Sequence, residues 1–193
     1  MTTDVQRRAL LTAALAPALG WHPVHAGPQQ EEPLADAAPP RPLFDKTDER
    51  MAYLRWLGAS SEKLKRRKAD HHTRIEFLET VWYESRRAGL ETALVLGLIQ
   101  VESGFRKYAI SSAGARGYMQ VMPFWARAIG DGDDRRLFHL QTNLRFGCVI
   151  LRHYLDRERG DLFLALGRYN GSRGRAEYPN LVFGAKRPWD VAV

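Results

Sequence analysis

Between Glu91 and Gly104 the chain is apolar on almost every side of the helix that its spacing predicts, about Thr92 to Ser103. Ala93, Leu94, Val95, Leu96, Leu98, Ile99 and Val101 leave no polar stripe to face water. An amphipathic helix can rest on a surface, but one that is apolar all round must be surrounded by other elements. The rest of the chain therefore has to supply a shell. No stretch shows sustained period-two alternation bounded by turn residues, so the shell is predicted to be helical. The expected class is all-α, with little or no sheet.

The flanking segments carry the matching signals. Met51, Leu54 and Leu57 recur at helical spacing beside Tyr53 and Trp56, and the basic run Lys63 to Lys68 follows them. Ile75, Leu78 and Trp82 define a helix from about Thr73 to Ala88, with Gly89 as its stop. Gly104 to Gly117 is rich in Gly and Ser and reads as loop. Pro123 suits the first turn of a short helix through Ile129. Asp131-Gly132-Asp133-Asp134 reads as a turn, and a long amphipathic helix is predicted from about Thr142 to Arg159 on Leu144, Val149, Leu151 and Leu155. Asp161 caps one more helix, which stops near Tyr169-Asn170-Gly171.

The N-terminal part has a different character. Arg7-Arg8, the apolar stretch Ala9 to Leu19 and the small residues at Val24 and Ala26 read as an export signal over residues 1–26, of Sec or twin-arginine type. Its apolar core is shorter than the roughly 20 residues that span a bilayer. Residues 27–45 hold five prolines among Ala and Glu, a composition expected of a flexible linker. The domain plan is a signal (1–26), a Pro-rich linker (27–45), an amphipathic basic helix (46–69) and a catalytic body (70–193). A periplasmic or secreted location follows, with no integral membrane segment after signal cleavage. The single cysteine, Cys148, excludes an internal disulfide and sits in an apolar run as a small core residue. The net charge of +7 favours an anionic partner. Nucleic acid is not expected, because no reading motif accompanies the charge.

Glu102 is the residue with chemical promise. Leu94, Leu98 and Glu102 are four apart, so the carboxylate extends an apolar face. An unpaired carboxylate there would be partly desolvated and inclined to keep its proton, as an acid that cleaves a glycosidic bond requires. Glycosidases ordinarily use two carboxyls, yet no Asp or Glu follows Glu102 until Asp131. The histidines at 71, 72, 139 and 153 lack paired metal spacing, and no Ser or Cys occupies a nucleophile elbow. Neither metal nor cofactor is expected. A catalytic Glu102 would be a lone acid/base, with the nucleophile supplied by the substrate.

Glu102-Ser103, Ser111 with Ala113-Gly114-Ala115, Gly117-Tyr118-Met119-Gln120, and Tyr169-Asn170 occur in that order. With Asn143 and Gly147 they make residues 73–187 resemble the soluble-type lytic transglycosylase (SLT) catalytic domain, which has a lysozyme-like, mostly helical fold. The resemblance implies an enzyme that cleaves the β-1,4 bond between N-acetylmuramic acid and N-acetylglucosamine in peptidoglycan glycan strands, leaving 1,6-anhydromuramic acid ends. It implies Glu102 as the acid/base and Tyr169 as the tyrosine that orients it. It further implies Ser103, Ser111, Tyr118, Met119, Gln120 and Asn170 as substrate-binding groups. The alternatives are a lysozyme-like hydrolase, for which the Asp131 cluster would supply the second carboxylate, and a peptidoglycan-binding protein that does not cut. Wall turnover and assembly of an envelope machine with its own partner are both compatible roles. Tyr118 stands where the family usually has Leu, Gly171-Ser172 replaces the commoner Ala-Gly, and Arg168 replaces a small residue. Arg168 is thereby expected to place a cation beside the site.

Overall fold

The computed structural model describes residues 38–191. The expected signal, and residues 27–37 of the expected linker, lie outside the described residues. Seven α-helices follow: α1 (Thr47–Leu64), α2 (His71–Arg87), α3 (Thr92–Ser103), α4 (Phe124–Ile129), α5 (Leu140–Arg157), α6 (Leu162–Asn170) and α7 (Glu177–Lys186). Short 3-10 turns cover Asp134–Phe138 and Arg187–Trp189. Extended pairing among the described residues is confined to two isolated bridges, Ile110 with Arg116 and Arg116 with Val121. The all-α expectation holds.

α3 is the hub. Leu96, Leu98, Ile99 and Val95 are fully buried, and Leu94 nearly so. Burial of each such side chain stabilises the fold by about 1.5–3 kcal/mol, which is why this segment sits at the centre. α7 lies directly along α3, and Gly97 makes the approach possible. A Cβ on Gly97 would stand 2.7 Å from the backbone nitrogen of Lys186. α2 packs on another side of α3, α5 packs on α2 and α6, and α6 meets α7.

The Asp161 cap follows the sequence signal, and α2 starts on a cap of the same kind that was not among those signals. Asp70 accepts from the Thr73 backbone N–H at 2.7 Å, starting α2, and Asp161 accepts from that of Leu164 at 2.9 Å, starting α6. α6 ends on Gly171 in the left-handed conformation at φ 79°. Such a cap is easiest for glycine. α5 begins two residues earlier than predicted, and its Val149 faces solvent rather than the core. α7 has no counterpart in the sequence reading.

α1 is part of the same core. Tyr53, Trp56 and Leu64 are buried on it, and Trp82 of α2 meets the Tyr53 ring edge-on with centroids 5.0 Å apart. Phe44, at the end of the expected linker, packs on Tyr53 as well, at 5.2 Å. The basic run does not lie on a helical face, because α1 stops at Leu64 and Lys65 to Asp70 form a connector to α2. Cys148 is fully buried in α5, and burial pushes its thiol well above the usual range.

Candidate active site

Glu102 occupies the last turn of α3 and is half-buried. The Tyr178 hydroxyl, from the first turn of α7, donates to its Oε1 at 2.5 Å. Tyr178 is 4% exposed, so this donor is held by packing rather than delivered by a mobile side chain. The Gly97 contact sets the distance between α3 and α7 and hence the reach of Tyr178.

The chain leaves α3 abruptly. Gly104 and then Phe105 adopt left-handed backbone at φ 57° and 68°. A bulky residue in that region is strained by about 1–3 kcal/mol and persists only where its surroundings fix it. Phe105 is fixed by burial, its ring lying 6.0 Å from Phe77 and 5.5 Å from Trp189. The loop that follows is cross-braced: Gly117 N–H donates to Ala109 O at 2.9 Å, and Arg116 and Val121 exchange backbone hydrogen bonds at 2.9 and 3.0 Å. Gln120, at the far end, is the second non-glycine residue there with positive φ, at 51°.

Asn143 of α5 anchors this loop from inside. It is fully buried. Its Oδ1 accepts from Met119 N–H at 2.8 Å, while its Nδ2 donates to the carbonyls of Arg116 and Leu137 at 2.9 and 2.7 Å. A Cβ at Gly117 would collide with the Asn143 amide, and one at Gly147 with the Met119 side chain. The sequence pair Asn143 and Gly147 thus serves to seat the loop on α5.

Four of the residues expected to line a sugar groove are buried. Ser103 is 2% exposed, and its hydroxyl donates back to Ile99 O. Tyr118 is 3% exposed and packs on Phe77 at 5.0 Å. Met119 is fully buried. Gln120 is 5% exposed and donates its amide to Gly117 O at 2.9 Å and Ala109 O at 3.1 Å. For Tyr118, Met119 and Gln120 the physical reason is common: a loop with two strained ends needs internal bonds and packing to keep its shape.

Ser111 and Asn170 remain half-buried. Ser111 Oγ accepts from Ala115 N–H at 3.0 Å, and Asn170 donates to Ser172 Oγ at 2.9 Å. Tyr169 donates its hydroxyl to Met119 O at 2.8 Å, so it ties α6 to the loop. Tyr178, whose hydroxyl donates to Glu102 Oε1, was not among the residues expected at the site. A tyrosine immediately before Pro179, in the first turn of an unrecognised helix, carried no local signal.

Charges near the site are mostly spoken for. Arg168 pairs with Glu158, which also receives a two-pronged contact from Arg173 at 2.8 and 2.9 Å. These hydrogen bonds, Arg173 first, hold the Glu158 carboxyl down at about 2. The expected cation of Arg168 is therefore engaged on the α5–α6 turn. In the acidic turn, Asp131 pairs with Arg136, Asp133 with Arg135 and Asp134 with Arg116. The hydrogen bonds from Arg136 and Arg135 hold Asp131 and Asp133 below the usual carboxylate range. Among the described residues no cluster of His, Cys, Asp or Glu is arranged to hold a metal ion.

Residues 79–188 match the family model described as Transglycosylase SLT domain. A transglycosylase of Enterobacteria phage PRD1 is 32% identical over 128 residues, covering 59% of this chain and 47% of that protein. Membrane-bound lytic murein transglycosylase C of Mannheimia succiniciproducens is 49% identical over 51 residues, covering 26% of this chain and 14% of that protein. A crystal structure of lytic transglycosylase Slt from Pseudomonas aeruginosa aligns at 23% identity and a TM-score of 0.47, over 73% of this chain and 26% of that one. The chain spans less than half the length of these relatives.

Proposed function

Because the chain belongs to the Transglycosylase SLT domain family, we propose that it is a peptidoglycan lytic transglycosylase in which Glu102 is the single acid/base. Protonated Glu102 gives its proton to the glycosidic oxygen between N-acetylmuramic acid and N-acetylglucosamine. The resulting carboxylate then takes the proton of the muramic acid 6-hydroxyl, whose oxygen closes on C1. The bond to the leaving sugar breaks and a 1,6-anhydro ring forms, with no water consumed.

The observation that carries this reading is the environment of Glu102. It ends a buried helix, and a packed hydroxyl donor fixes its Oε1. An acid/base must be held in place to act, and a packed donor does so without the entropy cost of a mobile one. The acidic turn is a poor source for a second carboxylate, since its three acids are paired with arginines. That favours the lyase over a lysozyme-like hydrolase. Ser111 and Asn170 are the groups we assign to contact with the sugars. Tyr118, Met119, Gln120 and Tyr169 act through the shape of the loop, and Ser103 through the last turn of α3.

The substrate is the glycan strand, and the site of action is the cell envelope, reached by export on residues 1–26. Digestion of purified sacculi tests the proposal. Anhydro muropeptides, lighter by one water than hydrolysed ones, are expected, and Glu102→Gln should lower their release by roughly 10²–10⁴-fold. Reducing muropeptides alone would identify a hydrolase. Full activity of Glu102→Gln would remove Glu102 from the chemistry.

A further inference from the structure

The connector Lys65 to Asp70 lies before residue 79, where the family match begins, yet it touches both ends of the active-site loop. At the outgoing end, the Arg67 guanidinium stands over the Phe105 ring at 5.5 Å and reaches the Gly104 carbonyl at 3.5 Å. At the returning end, Lys68 Nζ donates to the Tyr118 hydroxyl at 2.7 Å. The same ammonium lies 4.5 Å from the Tyr118 ring centre and 4.7 Å from that of Phe77. A cation over two aromatic faces in a partly desolvated place gains about 0.5–2 kcal/mol, and the phenol supplies an acceptor.

The connector is itself held. Arg74 of α2 is 6% exposed and donates Nε to Ser61 Oγ at 2.9 Å. One of its terminal nitrogens donates to the carbonyls of Lys68 and Ala69 at 2.6 and 2.9 Å. A buried guanidinium that gathers consecutive carbonyls fixes the backbone from which Lys68 projects. A lysine needed only for solubility would not be drawn under a loop in this way.

We propose that this connector is a positioning element of the active site, in which Lys68, locked by Arg74, holds Tyr118 and so sets the loop that runs from Glu102 to Gln120. Its effect on turnover rests on the reading of Glu102 as the catalytic acid; its effect on the loop does not. Burial, and secondarily Lys107, bring the Lys68 ammonium down to about 8, as expected of a cation enclosed by rings.

The test uses the full chain with Lys68→Met, Tyr118→Phe and the double variant, measured by amide hydrogen exchange and by release of muropeptides. Lys68→Met should speed exchange across residues 105–121 while the amides of α5 and α6 keep their protection. Each single variant should slow turnover roughly ten- to a hundredfold, as loss of positioning does. The double variant should be no slower than the worse single one, because both remove the same contact. Unchanged exchange in the loop would overturn the proposal, as would equal loosening of the whole domain or losses that multiply. An inactive wild type would refute the catalytic reading alone, since exchange still reports on the clamp.

Discussion

The pairing of Glu102 with Tyr178 puts a precise demand on one hydroxyl. Tyr178→Phe keeps the ring that fills the space and removes the donor at 2.5 Å. The hydroxyl positions the acid, so turnover should fall roughly ten- to a hundredfold, with a loss of stability no larger than the about 1.5–3 kcal/mol that a hydrogen bond to a carboxylate contributes. A Tyr178→Phe enzyme with wild-type rates would show that the contact is incidental. Glu158 makes a second prediction. Its carboxyl is held at about 2, below the ordinary 4.5, chiefly by the hydrogen bonds from Arg173 and Arg168. Its folded value is depressed, so its contribution is complete above the ordinary value and is lost as pH falls from 4.5 through about 2. Glu158→Gln should therefore lower Tm at pH 7 and make little difference near pH 2. A deficit that is constant with pH would rule this out. The residue scale is also where the sequence was least legible. Glu102 stood out because it interrupts an apolar helix. Tyr178 did not, because its partner lies 76 positions away. Arg168 looked like a neighbour of the site, but the turn between α5 and α6 brings Glu158 to it.

Elements were read more easily. α2, α3, α4 and α6 followed from periodicity and stop signals, and the Asp161 cap of α6 makes its expected bond. α7 was missed because Pro179 lies near its start and Gly184 within it, and both argue locally against a helix. Its formation depends on packing against α3, which no local signal reports. That packing passes through Gly97, and a methyl group there would meet backbone that cannot rotate away. Gly97→Ala should cost about 1–3 kcal/mol and should reduce turnover as well, by displacing Tyr178. A stability loss with normal turnover would separate the α3–α7 spacing from the chemistry. Asn143 offers a parallel case between α5 and the loop. Asn143→Ala removes three hydrogen bonds and strands buried backbone groups, at about 1–3 kcal/mol for each group left unsatisfied. Urea denaturation should register a loss of several kcal/mol.

For the molecule as a whole, the sequence suggested a catalytic body beginning near residue 70, with a basic helix before it. α1 instead contributes Tyr53, Trp56 and Leu64 to the common core, and the connector that follows it meets the active-site loop. Residues 70–193 expressed alone should thus be less soluble and melt well below the full chain, with the uncovered faces of Phe77 and Trp82 binding a hydrophobic dye. Equal stability of the two would mean that α1 is dispensable. A run of lysines and arginines looks like a solvated edge, whereas the rings of Phe77 and Tyr118 draw Lys68 inward. Cys148 has a practical consequence of a different kind. The chain holds one thiol, and it is fully enclosed in α5. A thiol-specific reagent will label the protein only at moments when the interior opens, so labelling rate becomes a clock for whole-molecule opening. With no second native thiol to compete, a cysteine placed at exposed Ser112 can carry a fluorophore on the loop while Cys148 continues to keep that time.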